Sequence, residues 1–410
     1  MNLPAPQLTQ QDIDRCISIR RFETFRNEML GNNASAMALY RWNQSVEGTM
    51  HVALGIIEVA LRNALDPALM KTVGNLTEFA DWTGLGYNGF RYISDRVTPK
   101  ETLPVPRVIE KIRTELYDAH RHAFQAASRS SNSNTCYRRN YNHDDVVAAL
   151  MFGAWDRLIG SNNVHTGQRP SWNSRLWDSG LHEAFPGLEN SDTDRVKVAN
   201  IVQSLHRLRN RVAHHENLLF VDIPKFADEC TSLLEYINPG CSSQWMNLDD
   251  LHSLLQTDPR RSIDFRRVAF KLTYSVIGDR TLSAQDTLRD LLEHSTKHSG
   301  KVLFCNRMRV AKCNFGRIKE VYLYADGRVA HGAVSNMGLI GNQDYQRYTH
   351  EYGYTRPAHW FPNTRDTRWY AVKNLYELSN AEARMITRES DHATLQDLFG
   401  GQRTNFIYLK

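Results

Sequence analysis

Between residues 53 and 64, Ala53, Ile56, Ile57, Ala60, Leu61 and Ala64 recur at i, i+3, i+4, i+7, i+8 and i+11. That is one unbroken apolar stripe at the 3.6-residue period. At the two-residue period of a strand the same side chains would scatter over both faces, so only an α-helix can bury them together. The spacing predicts a helix over residues 33–65, ended by Pro67. Residues 107–127 carry a second amphipathic pattern after the Pro-Val-Pro break at 104–106. A third follows Asn142, with Val147, Leu150, Met151, Ala154, Trp155 and Leu158 on one face. Two more run over 192–215 and 224–236, the latter with Pro224 at a helix start, where its missing N–H costs nothing.

The pattern changes after NPGCSSQWMN at 238–247, a stretch rich in turn residues. Residues 319–325 and 328–334 flank Asp326-Gly327, the signature of a β-hairpin with a tight turn. Residues 367–378 read as a further strand leading into a helix. A chain of 410 residues exceeds one comfortable core. The expected architecture is therefore an α domain over 1–245, a helical bundle, followed by a smaller α+β domain over 246–410.

Hydrophobic residues make up 41% and charged residues 23%, which is a globular composition and not a disordered one. The N-terminus lacks a basic start followed by an apolar run, so no secretory signal is expected. No apolar stretch approaches the length of a membrane span, and no membrane partner is expected. The six cysteines are scattered and form no CxxC pair, which argues against a zinc knuckle or a disulfide framework. A cytoplasmic protein with free thiols, needing no cofactor and no metal, is the resulting expectation. The net charge of +5 fits a polyanionic partner without requiring one.

Chemistry concentrates in LHRLRNRVAHHEN, at the end of the 192–215 helix. Val198, Ile201, Val202, Leu205, Leu208 and Val212 form its apolar stripe, and Arg209 projects into that stripe. A guanidinium placed there has to be paired or face a cavity. On the adjoining face His206, Asn210 and His214 align at i, i+4 and i+8. Histidine exchanges protons near neutral pH, and arginine matches phosphate oxygens with its planar fork. Asparagine can orient either group, and no carboxylate cluster nearby suggests a metal. These parts suit metal-free RNA cleavage, in which the ribose 2′-OH attacks the adjacent phosphate. A basic helix end also arises simply because cations favour the C-terminal end of the helix dipole.

RNRVAHHEN at 209–217 resembles the Arg-Asn-x3-His motif of HEPN-superfamily ribonucleases, in the form seen in Abi-like abortive-infection proteins. GIIEVALRNAL at 55–65 resembles the early Glu-x3-Arg-Asn element of that group, with Glu58, Arg62 and Asn63 in its positions. YRWNQSVEGTM at 40–50 stands where those proteins have an aromatic-rich first helix. The likeness covers roughly residues 15–240 and leaves the C-terminal part unassigned. It implies that Arg209 and His214 are a catalytic pair with Asn210 beside them. It implies products bearing a 2′,3′-cyclic phosphate and a 5′-OH, and a homodimer, because sites in this superfamily face each other in pairs. His215 offers a second imidazole; His214 is favoured because it shares a face with Asn210. Glu58 and Arg62, four apart, can pair, and with Asn63 are expected to support the site.

Arg211 and His215 are expected to contact RNA, as are Arg138 and Arg139 in the mixed aromatic and basic stretch 135–141. Trp172 and Trp177 read as core or interface. Residues 345–370 are dense in Tyr, Trp, Arg and His, a mixture that either packs a small β domain or binds a single strand or a nucleotide. The C-terminal domain is expected to sense a phage-derived or nucleotide trigger. Two other readings of the helical domain stand beside the nuclease. It is a non-catalytic RNA-binding or signalling module, or a scaffold in which Arg209 is paired in the core.

Overall fold

Ala53, Ile57 and Leu61 are buried on a helix that runs through Asn33–Leu76, well past the end set by Pro67 in the sequence reading. The proline removes one backbone donor, at a cost of about 3 kcal/mol in a helix interior. Pro67 is on the exposed face, as is Asn63, whose carbonyl loses its intrahelical donor and can turn to water instead. The buried face meanwhile continues through Leu65, Ala68, Leu69, Thr72 and Val73. Packing along that face outweighs the local break. The computed structural model describes residues 10–94, 98–130, 140–160, 171–240, 242–246, 248–262, 267–273, 275–277, 280–306, 315–340, 343–357, 368–389, 391–400 and 405–409.

By internal contacts the chain separates into two compact units, Glu47–Leu218 with Asp222–His252, and Met1–Val46 with Leu219–Val221 and Ser253–Lys410. The first is helical. Besides the second part of the long helix it contains Arg113–Ser130, His143–Ala149, Phe152–Ile159, Trp172–Asp178, Asp192–Ala213 and Ile223–Ile237. The pattern after Asn142, read as one helix, is two. Asn142 caps the first through a reciprocal box with Asp145, and Leu150 and Met151 then adopt extended dihedrals. Met151 is consequently exposed, while Phe152, Ala154, Trp155 and Leu158 are buried. Trp82 packs edge-on against Trp155 with centroids 6.1 Å apart, both rings fully buried.

The second unit is built on a six-stranded mixed sheet. Its strands are β1 (Arg267–Lys271), β4 (Lys301–Asn306), β5 (Glu320–Ala325), β6 (Arg328–Leu339), β7 (Arg368–Glu377) and β8 (Phe406–Tyr408), with β2 (Ser275–Ile277) and β3 (Arg280–Leu282) pairing separately. The order is β4-β7-β6-β5-β1-β8, and only β1 and β5 run parallel. The hairpin expected at Asp326-Gly327 is β5–β6, with both turn residues at positive φ (46° and 92°) and Ala325 opposite Arg328. β7 followed by the helix Asn380–Met385 matches the expected strand and helix over 367–378 and beyond. Val268, Phe270, Phe304, Leu323 and Val372 pack on one face against Leu288 and Leu291 of the helix Ala284–Lys297. The other face is covered by Leu395, Leu398 and Phe399 near β1 and β5, and by Tyr345 and Tyr348 over Trp369.

Residues 1–46, expected in the helical domain, group with the sheet. Glu28 at the end of the helix Ile19–Glu28 is buried with its Oε2 3.7 Å from Nη1 of Arg260. Arg260 also grips Asp258 through two nitrogens at 2.7 and 3.0 Å, and donates to the Leu219 carbonyl. Trp42 lies 5.4 Å over the guanidinium and hydrogen-bonds Leu254. A buried charge so far along the sequence explains why the N-terminal helix belongs there.

Candidate functional site

Ser191 caps the helix Asp192–Ala213 by accepting from the Asp194 N–H, and two aspartates stand in its first turn, where the dipole favours them. Val198, Val202, Leu205 and Val212 are buried, whereas Ile201 and Leu208 are half-buried. The buried face therefore narrows toward the C-terminal end, and Arg209 is half-buried there instead of enclosed. Among the described residues neither Arg209 nor the Asn210 side chain has a hydrogen bond or ion pair. The scaffold reading required Arg209 to be buried against a carboxylate, and this geometry does not provide one.

The helix stops through backbone chemistry. Glu216 N–H bonds to Arg211 O at 2.9 Å and His215 N–H to Val212 O at 3.0 Å, the paired bonds of a Schellman end. His214 is the C-cap, exposed, with its N–H on Asn210 O. His215 takes the left-handed position at φ 50°, where glycine is usual, and points Nδ1 at Glu47 Oε2, 3.4 Å away. The left-handed residue thus turns His215 toward Glu47, while His214 stays one turn beyond Asn210. Arg211 is held by Glu216 at 3.3 Å and donates to the Asn217 carbonyl. Because the His215 side chain is 78% exposed its pair with Glu47 is weak, so His215→Gly is expected to raise stability by about 1 kcal/mol, measured as an increase in Tm.

One turn before the motif, His206 Nδ1 sits 2.8 Å from Asp156 Oδ2, a carboxylate from the helix Phe152–Ile159. Its ring stacks on Phe152, centroids 5.7 Å apart and 17° from parallel. A methyl group on Gly153 would stand 3.4 Å from Nε2. The side chain remains 26% exposed. Sequence reading aligned His206 with Asn210 and His214 but missed both Asp156 and Glu47. No local signal joins residues 50 and 168 positions apart.

Glu58, Arg62 and Asn63 are not drawn into this group. Glu58 and Arg62 are half-buried, Asn63 is exposed, and no ion pair joins Glu58 to Arg62, contrary to the spacing. None of the three bonds to Arg209, Asn210 or His214. Glu47, which His215 does approach, precedes Glu58 by eleven residues, about 16 Å of helix. Arg138 and Arg139 lie outside the described residues, as do His359, Trp360, Phe361 and Arg365. In the remaining 345–370 stretch packing accounts for most of the aromatics. Trp369 and Tyr370 are fully buried, and Tyr345, Tyr348 and Tyr354 pack around Trp369. Tyr352 is the exception, 40% exposed under the Arg347 guanidinium. Trp177 is buried against Phe185, and Trp172 is exposed under Arg175. Among the described residues no helix is long and apolar enough to cross a membrane.

No protein-family model, no curated protein and no solved structure matches this chain.

Proposed function

We propose that the chain is a metal-independent endoribonuclease whose site is the C-terminal end of the helix Asp192–Ala213. The observation that carries this reading is the unpaired, half-exposed Arg209 beside Asn210, with His214 one turn further on at the exposed helix end. A guanidinium held without a counter-ion is ready for a phosphate, which it can grip with two parallel hydrogen bonds. The Asn210 amide is free to hold a substrate hydroxyl or the histidine. His214 exchanges a proton with the reacting oxygens. The ribose 2′-oxygen attacks phosphorus, the bond to the 5′-oxygen breaks, and the products carry a 2′,3′-cyclic phosphate and a 5′-OH. Arg209 stabilises the charge that grows on the phosphoryl oxygens.

The resemblance to Abi-like HEPN proteins supports the same chemistry and adds a setting. Two copies would face each other, and the enzyme would act as a toxin in antiphage defence, released by a phage-derived or nucleotide trigger sensed by the sheet-bearing unit. The test is RNA cleavage in EDTA by the wild type and His214→Ala, with and without phage extract. His214→Ala is expected to lose about 10²–10⁴-fold in rate, with single-stranded DNA untouched. RNA binding by both proteins without cleavage in either condition would instead assign a non-catalytic RNA-binding role.

A further inference from the structure

A phosphoryl transfer of this kind needs two proton transfers, one from the attacking hydroxyl and one to the leaving oxygen. His214 can perform only one of them in a turnover. The structure places a second imidazole on the same helix. His206 and His214 stand eight residues apart, about 12 Å along the axis, with Arg209 and Asn210 between them. Side chains three or four residues apart are neighbours, which places His206 beside both Arg209 and Asn210, and His214 beside Asn210.

We propose that His206 is the catalytic base of this site, with Asp156 as its positioning residue. The proposal rests on the ribonuclease reading above. Two observations carry it beyond the alignment seen in the sequence. Asp156 accepts at 2.8 Å from Nδ1, which in the neutral ring holds the proton there and leaves the Nε2 lone pair free. Gly153 has no side chain beside Nε2, although the position shows no positive φ and an alanine would favour the helix. An alanine methyl there would stand against Cε1 at 3.3 Å and Nε2 at 3.4 Å, crowding the free nitrogen.

The step then balances with His206 as the base and His214 as the acid. The 2′-OH gives its proton to His206 Nε2 as the 2′-oxygen bonds to phosphorus. The bond from phosphorus to the 5′-oxygen breaks, and His214, protonated at the outset, gives its proton to that oxygen. His206 ends as an imidazolium beside Asp156 and His214 ends neutral; exchange with water resets both. Arg209, one turn from His206, meets the phosphoryl oxygens, and the attacking and leaving oxygens lie in line at phosphorus.

The roles separate with a substrate whose leaving 5′-oxygen is replaced by sulfur, which departs without needing a proton. On ordinary RNA, His206→Asn and His214→Ala are each expected to slow cleavage about 10²–10⁴-fold. His206→Asn keeps a donor for Asp156 while removing the second ring nitrogen. With the sulfur substrate His214→Ala should recover to near the wild-type rate, whereas His206→Asn should not. Asp156→Asn should behave like His206→Asn, and Gly153→Ala should lower the rate. If His206→Asn and Asp156→Asn cleave ordinary RNA at the wild-type rate while His214→Ala is inactive, His206 is structural and the nuclease reading survives. If the wild type cuts neither substrate, with or without phage extract, the nuclease reading itself falls, and the role of His206 with it.

Discussion

Arg260→Met is expected to destabilise the sheet-bearing unit by about 3–5 kcal/mol, because it removes one partner from a buried ion cluster and leaves the others uncompensated. Arg260 is 3% exposed, Glu28 3% and Asp258 6%, so water reaches none of the three. The methionine stem can fill the arginine's place against Trp42 but supplies no charge for Asp258 and no donor for Leu219. Burial pushes the Glu28 carboxyl up to about 7, with Arg260 pulling it back toward the ordinary value. Its folded pKa is above the unfolded one, so ionising Glu28 costs stability as pH rises from about 4.5 through 7. Without Arg260 that cost grows. The variant should therefore lose more at pH 8 than at pH 5, and adding Glu28→Gln should recover part of the loss at pH 8 only. Urea unfolding of the single and double variants at both pH values measures this. A loss below 1 kcal/mol, or one independent of pH, would show that the cluster is not what holds the N-terminal helices in place.

That cluster also marks where sequence reasoning stopped. Helical periodicity located the long helix and the motif helix, and Asp326-Gly327 located the β5–β6 turn, because each is a local pattern whose physics lies within a dozen residues. Pro67 predicts a stop because its local cost is visible in the sequence, while the buried face beyond it becomes decisive only in the fold. Grouping of residues 1–46 with the sheet depends on Glu28 meeting Arg260, over two hundred residues away, for which the chain carries no local sign. β8, three residues long, gives no periodic signal at all. At the candidate site the legible part was the one-helix part, Arg209, Asn210, His214 and the alignment of His206. The partners from other elements, Asp156 and Glu47, were not legible, and the expected Glu58–Arg62 pair does not form. Helical spacing allows such a pair, but it gains only about 0.2–0.5 kcal/mol, too little to fix two long side chains.

His143→Leu should destabilise the helical unit by about 3 kcal/mol near pH 6, and by progressively less as pH rises. His143 is clasped by two carboxylates, Nε2 on Asp66 at 2.9 Å and Nδ1 on Asp81 at 3.0 Å. Asp66 belongs to the long helix, Asp81 follows it in the chain, and His143 opens the helix His143–Ala149, so the ring ties three segments together. Trp82 N–H also donates to Asp66, and the Thr83 hydroxyl to Asp81. Burial opposes the imidazolium, but the two carboxylates outweigh it and push His143 up to about 10. Burial likewise opposes both carboxylates, and His143 outweighs it in turn, holding each below its usual range. For a histidine with a raised folded pKa, the stabilisation is complete below the unfolded value near 6.5 and fades as pH climbs through about 10. For the lowered carboxylates it is present above about 3.8 and is lost as pH falls further. The triad therefore contributes most between about pH 4 and 6.5. Denaturant unfolding of wild type and His143→Leu at pH 6, 8 and 10 tests this directly. The gap between the two proteins should narrow at each step, since the wild type loses its imidazolium and the variant has none to lose. A gap that stays constant across that range would mean the ring holds these segments by packing against Trp82 alone, with no contribution from its charge.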